Sequence, residues 1–311
     1  MNFEVRVHSF HENYIANLIP LYKSAFGFEV KLAYIRSKFF SSYQKLRLSK
    51  VAISDSGEAV SFYGIISQKA IYKNMEFYIG QSCDSMTHKN FGGQGLFLRL
   101  AESAYKDAYS QGVSFIYGFP NKTIYGLRIK KLNWQHKENI NNYAQKVSAV
   151  PLAKAVKKMP FLKSLYNSYL SALLRKYRSE VSFFGNSVLT SDIAGVIHDH
   201  SYFTYKSSAD KYIIKICGIN FWIKFDGLLW VGDFENTDQE NFMKALQVLK
   251  KIAKRAGCTS IHFHYQEGTA NDFLLKQILP LKGQMPYGYL FLSQEYSDIS
   301  FKFSAADFDT W

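Results

Sequence analysis

The chain has 311 residues, with 38 Lys or Arg against 25 Asp or Glu, a formal charge of +13, and 47% hydrophobic and 17% aromatic residues. That length holds about two domains with cores of their own, and the composition excludes collagen-like, low-complexity and disordered chains. Three scattered cysteines, Cys83, Cys217 and Cys258, form no CxxC pair and stand beside no spaced histidines, so neither a disulfide framework nor a metal site is expected. No apolar run approaches the roughly 18 residues of a membrane span, and MNFEVRVHSF lacks the basic head and apolar stretch of a secretion signal. A cytoplasmic protein is expected.

The charge is uneven. Residues 1–148 carry +9, residues 149–180 carry +6 and residues 181–311 carry −2. The first half and the connector therefore favour an anionic partner, whether a phosphorylated cofactor, a nucleic acid or an anionic lipid surface.

Alternation predicts a strand from Phe3 to Phe10, and helical spacing of Tyr14, Ile15, Leu18, Leu21, Tyr22 and Ala25 predicts a helix from His11 to Phe26. A second helix follows from Val30 to Phe40. Val51–Ser54, Ala59–Ser67 and Met75–Thr87, separated by Asp55-Ser56-Gly57 and Lys73-Asn74, read as an antiparallel meander. A glycine-rich loop, His88 to Gly95, leads into a helix from Leu96 to about Ser110 that Gly112 ends. The strand Val113–Tyr117, the turn Gly118-Phe119-Pro120-Asn121, a helix to about Leu132 and polar strand material from Trp134 to Val147 complete this half.

Residues 149–180 read as a basic amphipathic connector, with Leu152, Val156, Leu162, Leu165, Tyr166, Tyr169 and Leu173 broken at Pro160 and interspersed with lysines and arginines. The preferred reading buries its apolar stripe against a neighbouring domain; the other lays it on an anionic membrane. Beyond it, strand Leu228–Phe234, helix Gln239–Ala256, Gly257, strand Thr259–Tyr265, helix Thr269–Leu279 and strand Tyr287–Ser293 repeat the order of events from Glu76 to Tyr143. This predicts an internal duplication. The chain divides on this reading into 1–148, 149–180 and 181–311.

The chemically informative stretch runs from Asp84 to Leu100: strand, glycine loop, helix. Glycines at 92, 93 and 95 let the backbone approach a ligand, and the free amides of the loop and first helical turn suit a diphosphate. Gly95 is followed by Leu96-Phe97 and not by Lys-Ser/Thr, against a P-loop; a meander precedes the loop, against a dinucleotide fold.

The stretch resembles the GNAT superfamily of acyl-CoA-dependent N-acyltransferases, whose loop reads Q/R-x-x-G-x-G/A. Here the frame is Gly92-Gly93-Gln94-Gly95-Leu96-Phe97, with Gly95 kept and with Gly92 and Phe97 departing. Met86-Thr87-His88, Tyr117 to Asn121, and Leu132-Asn133-Trp134, with Asn133 in place of glycine, extend the likeness, which is nearest to GNAT-like proteins of polysaccharide biosynthesis clusters. The resemblance implies an α/β (α+β) fold with a mixed, mostly antiparallel sheet flanked by helices, in a GNAT-like domain over 1–148 and a divergent one over 181–311. It implies acetyl-CoA or another acyl-CoA as cosubstrate and no metal. Met86, Thr87 and His88 would bond the pantetheine arm through the backbone, Gly93, Gln94, Gly95, Leu96 and Phe97 would hold the diphosphate, and Asn121 would touch the cofactor or cap its helix.

Acyl transfer to an amine needs a base for the ammonium and an acid for the leaving thiolate. The family's usual tyrosine position falls on Ile129, so Tyr125, one turn earlier, is the expected acid. Asp84 is the expected base, ahead of Glu76 and His88. The second half has the acidic run Gly232 to Asp238 where a glycine loop would stand, and should bind no CoA. His262 and His264 alternate on a strand without a third spaced ligand, which points to a structural or acceptor-facing role and away from a metal pair. The implied function is N-acylation of a primary amine, with an amino sugar or its nucleotide-linked form as acceptor and no DNA partner. The alternatives are a tandem peptidyltransferase using aminoacyl-tRNA and a non-catalytic ligand-binding pair.

Overall fold

A computed structural model describes residues 4–311, the side chains of Lys122 and Thr123 excepted. The expected strand start at Phe3 lies outside the described residues. The first half runs β1 (Val5–Ser9), α1 (Ile15–Phe26), α2 (Leu32–Phe40), β2 (Lys50–Ser54), β3 (Ala59–Tyr72), β4 (Met75–Thr87), α3 (Leu96–Ser110), β5 (Phe115–Gly118), α4 (Lys122–Lys131) and β6 (Asn139–Lys146). Then come α5 (Leu152–Lys158), α6 (Lys163–Leu174), β7 (Ile193–Val196), α7 (His200–Lys206), β8 (Lys211–Ile216), β9 (Ile219–Phe225) and β10 (Leu229–Phe234). The chain ends with α8 (Gln239–Arg255), β11 (Ser260–Gln266), α9 (Ala270–Ile278), β12 (Leu281–Pro286), β13 (Gly288–Phe291) and β14 (Ser300–Phe301). Between 181 and 227, where pattern reading places no element, β7, α7, β8 and β9 form.

The chain divides into two compact units. One comprises residues up to Lys137 together with Pro286–Ile299; the other comprises Glu138–Met285 and Ser300–Trp311. In the first unit the sheet order is β1-β2-β3-β4-β5-β13, and in the second it is β8-β9-β10-β11-β6-β12. β4 pairs with β5 in parallel in the first sheet and β10 with β11 in parallel in the second, beside antiparallel neighbours β3–β4 and β9–β10. A helix of the same rank, α3 or α8, makes each parallel crossover. The two helices also end alike: Val113 N–H bonds Ala108 O after Gly112 (φ 81°), and Cys258 N–H bonds Ala253 O after Gly257 (φ 70°).

The expected repeat of element order is therefore present, but its last strand is placed differently. β6, which follows α4 in sequence, pairs along its whole length with β11, and β13 pairs with β5. The boundaries 1–148, 149–180 and 181–311 accordingly shift: the division falls before Glu138, the connector packs within the second unit, and residues 286–299 complete the first. Local periodicity marks a segment as a strand and carries no information about which sheet it joins.

In the first unit α3 covers one sheet face through Leu100, Ala101 and Ala104, against Tyr63, Ile65, Ile116 and Trp134. The opposite face is covered by α1 and α2, where Phe10, Phe39 and Phe62 meet edge to face with centroids 4.9–5.9 Å apart.

The second unit buries an ionic network. His198 is fully enclosed, with Nε2 2.9 Å from Asp307 Oδ1, Nδ1 3.6 Å from Asp233 Oδ2, and its ring stacked on Tyr202. Asp233 also accepts from the Ser187 and Tyr265 hydroxyls at 2.5 and 2.7 Å. Burial alone would lower the His198 pKa, but Asp307 and Asp233 outweigh it and raise it to about 9. A pKa raised in the folded state means that this stabilisation is complete below the unfolded value of 6.5 and is lost as pH climbs through about 9. The melting temperature should therefore fall between those pH values, and His198→Gln should flatten the fall. Equal slopes in the two proteins, measured by thermal unfolding across that range, would contradict the assignment.

Candidate functional site

β4 and β5 pair only at Gly80–Ile116 and Gln81–Tyr117. β5 stops at Gly118 while β4 continues to Thr87, so from Ser82 onward β4 presents an edge that β5 does not cover. Its other edge stays paired with β3, Phe62 facing Met86 and Ser61 facing Thr87, with a register slip between Phe62 and Gly64. The slip is a β-bulge centred on Asp84, whose φ of 44° lies in the left-handed region. His88 N–H donates to Val60 O at 2.8 Å, and Met86 O accepts from Ser61 Oγ at 3.0 Å. Strand alternation then turns the Thr87 N–H and C=O toward the open edge. Of Met86, Thr87 and His88, the backbone of Thr87 is the one best directed at a ligand there.

After β4, a single 3-10 turn (Lys89–Phe91) leads into Gly92–Gly95. Gly95 has φ 71° and is the N-cap of the 15-residue α3, and no side chain caps that end. The first-turn amides, at Leu96 and Phe97 among others, have no intrahelical partner, and the helix dipole adds positive potential. A side chain at Gly95 would meet nothing within 4 Å, so glycine is required there by backbone angle and the space stays clear for a ligand. Gly92, at φ −61°, needs no glycine, so this departure from the family loop relieves no strain. Phe97 turns its ring to the edge of Tyr63, with centroids 5.5 Å apart.

At the point where β4 and β5 part lies Arg128 of α4, a residue that sequence reading passed over. It is 4% exposed. One guanidinium nitrogen donates to Ser82 Oγ at 2.7 Å, the group stacks on Trp134 at 4.3 Å, and Tyr63 lies 5.8 Å away. Its Nε has no hydrogen-bond partner, and no carboxylate pairs with it among the described residues. The missing side chain of Gly118 would point at the same guanidinium, 2.9 Å away.

On the opposite sheet face the bulge presents Asp84 to α1 and α2. Tyr22 donates to Asp84 Oδ2 at 2.6 Å, and Lys38 lies 2.7 Å from the same oxygen, with side-chain exposures of 5% for Lys38 and 15% for Asp84. Both contacts fall on Oδ2, and no partner of Oδ1 is found among the described residues. Burial, and then the Asp84 charge, push the Tyr22 pKa far upward, so Tyr22 remains a donor. Sequence reading named Asp84 and missed Lys38 and Tyr22; the one signal was a lysine set between Ile35 and Phe39 on an apolar helix face.

The other expected residues are dispersed. Tyr125 packs edge-on against His136, with centroids 5.5 Å apart, and Ile129 joins the core beneath α3. Asn121 Oδ1 caps α4 by accepting from Ile124 N–H at 3.0 Å, which leaves its amide nitrogen for a ligand. Glu76 is exposed and pairs with Lys69. His88 Nδ1 accepts from Asn90 N–H and helps line a pocket of about 580 Å³ with Asn17, Leu21, Asp55, Glu58 and Phe91. The lining contains carboxylates and no lysine or arginine.

The second unit offers no equivalent loop. Asp238 caps α8 by accepting from Asn241 N–H at 2.8 Å, and Glu240 stands in its first turn, so this helix end already holds negative charge. Backbone hydrogen bonds hold the Asp238 pKa below its usual value. His262 and His264 lie along Trp230, at 4.8 and 5.5 Å, and burial lowers the His264 pKa to about 4, with His262 adding to the effect. His262 also contacts Ser260 Oγ and Asn142 Oδ1 through its two ring nitrogens, at 2.9 and 3.1 Å.

The sequence matches no family model and no curated protein. Solved structures do resemble the chain. A GCN5-related N-acetyltransferase from Kribbella flavida superposes with a TM-score of 0.60 at 11% identity, over 93% of this chain and 71% of that one. One from Anabaena variabilis gives 0.57 at 10% identity, over 93% and 73%. A conserved protein of Enterococcus faecalis gives 0.58 at 14% identity, over 93% and 73%. The chain has the mixed α/β fold of the GCN5-related N-acetyltransferases.

Proposed function

We propose that the chain is an acyl-CoA-dependent N-acyltransferase whose cosubstrate binds the first unit, with the pantetheine arm along the open edge of β4 and the diphosphate on the N-terminus of α3. The observation that carries this reading is the pairing of an uncapped, glycine-led helix end with a strand edge that its neighbour has left. The first feature suits a diphosphate, and the second suits an extended arm with amide groups. Residues 93–97 would supply the diphosphate contacts, Thr87 the arm contact and Asn121 a side-chain contact. Arg128 would hold positive charge at the closed end of the wedge, where the polarised thioester end of the donor would come to rest.

In the reaction the acceptor nitrogen forms the new bond to the thioester carbonyl carbon, the C–S bond breaks, and the thiolate takes a proton. Asp84, with Oδ2 braced by Lys38 and Tyr22, would hold the ammonium and accept its proton. Tyr125 would protonate the thiolate. A cationic primary amine such as an amino sugar suits a pocket lined by Asp55 and Glu58 with no lysine or arginine, whereas the diphosphate of a nucleotide-linked form would meet like charge there.

Calorimetric titration with acetyl-CoA and with CoA should show one site, lost in Gly95→Pro and kept in Asp238→Ala. Binding that survives Gly95→Pro would place the site elsewhere. Asp84→Asn should lower stability by about 3 kcal/mol, because it breaks the largely buried Lys38–Asp84 ion pair, and should lower turnover most at low pH, where the acceptor is protonated. Unchanged melting and an unchanged pH profile would remove Asp84 from the account. Tyr125→Phe should slow turnover by about 10²–10⁴ with acetyl-CoA affinity retained; a wild-type rate would make Tyr125 an ordinary aromatic.

A further inference from the structure

The connector between β6 and β7 is apolar on two sides. Along α6, Tyr166, Leu170 and Leu174 are buried in the core of the second unit, which accounts for the apolar stripe expected from sequence. A second stripe is left over. Phe161, in the 3-10 turn that joins α5 to α6, is 78% exposed, and Leu165, in the first turn of α6, is 72% exposed. Val150 at 81% and the half-exposed Leu152 and Met159 precede them. Isolated exposed apolar residues are ordinary, but a run of them on one short segment signals a surface that is covered in use.

The charge around this ridge points to what covers it. From 149 to 179 the chain has seven lysines and arginines and no acidic residue. Lys157 reaches the exposed Asp226, and Lys163 reaches Asp210, whose carboxylate is largely covered. Lys154, Lys158, Arg175, Lys176 and Arg178 face no carboxylate among the described residues. No helix of the described residues is long and apolar enough to cross a membrane. Phenylalanine and leucine projecting from a lysine-bearing surface are the composition of a segment that lies in the headgroup region, with the apolar side chains entering the acyl boundary and the cations meeting lipid phosphates.

We infer that α5, the Phe161 turn and the start of α6 dock the protein on an anionic phospholipid surface. Docking is peripheral and needs both parts: the apolar ridge alone would serve any greasy partner, and the cations alone any polyanion. This inference is independent of the acyltransferase reading, since it uses no residue of that site.

Sedimentation of the full chain with vesicles tests it. Vesicles of phosphatidylcholine mixed with phosphatidylserine should bind the protein at low salt and release it at high salt, and vesicles of phosphatidylcholine alone should bind it weakly. The double variant Phe161→Asp, Leu165→Asp and the double variant Lys154→Glu, Lys158→Glu should each cut partitioning by at least about tenfold. Both pairs are solvent-exposed, so melting temperature should hold, and a Phe161→Trp reporter should shift its emission to the blue on binding. Failure to bind mixed vesicles, or binding indifferent to both double variants, would overturn the inference. So would a concentration-dependent dimer in ultracentrifugation that Phe161→Asp, Leu165→Asp dissolves, because a second copy would then be the cover.

Discussion

A β-strand whose neighbour departs must satisfy its free edge with water or with a ligand, and β4 meets that condition from Ser82 to Thr87. Everything proposed for the first unit depends on this parting. It begins where β5 ends at Gly118 and where Arg128 takes the space between the strands, next to Ser82. It continues through the Asp84 bulge, which lets β4 keep its bonds to β3 while aiming a carboxylate at α1 and α2. It ends at the glycine loop, where the chain turns and starts α3 with its first amides unclaimed. One edge thus leads from an uncapped helix N-terminus to a buried cation, and this is the route proposed for the cosubstrate.

The second unit repeats the parallel strand pair and its crossover helix, and differs at the one place that matters for anions. α8 begins with Asp238 as its cap and Glu240 in the first turn; α3 begins with glycine and no acidic residue in its first turn. The same secondary structure therefore carries opposite electrostatics at equivalent ends. The second unit instead invests its polar groups in burial. His198, Asp233 and Asp307, with Ser187 and Tyr265, form a closed network that holds the segment after β14 against β10.

Much of this was legible in sequence. The meander over 51–87, the glycine loop and both crossover helices fall where periodicity and glycine place them, because each is specified by neighbours within a few residues. The acidic start of α8 was equally readable. Three things were not. The exchange of β6 and β13 depends on pairing across more than a hundred positions, which alternation does not encode. Lys38 and Arg128 are two cations among 38, and nothing local separates a buried one from a solvated one. Finally, the exposed stripe at Phe161 and Leu165 reads in sequence as part of the same amphipathic pattern as Tyr166 and Leu170, and the fold alone sorts inner from outer.

The central claim is that CoA lies along β4 and on α3. Hydrogen exchange of the full chain, with and without CoA, reads it directly. Bound CoA should slow exchange of the amides at Thr87 and from Gly93 to Leu98, and leave Asn236 to Asn241 at the start of α8 unchanged. Protection at α8 in place of α3, or no protection at either under saturating CoA, would contradict the account.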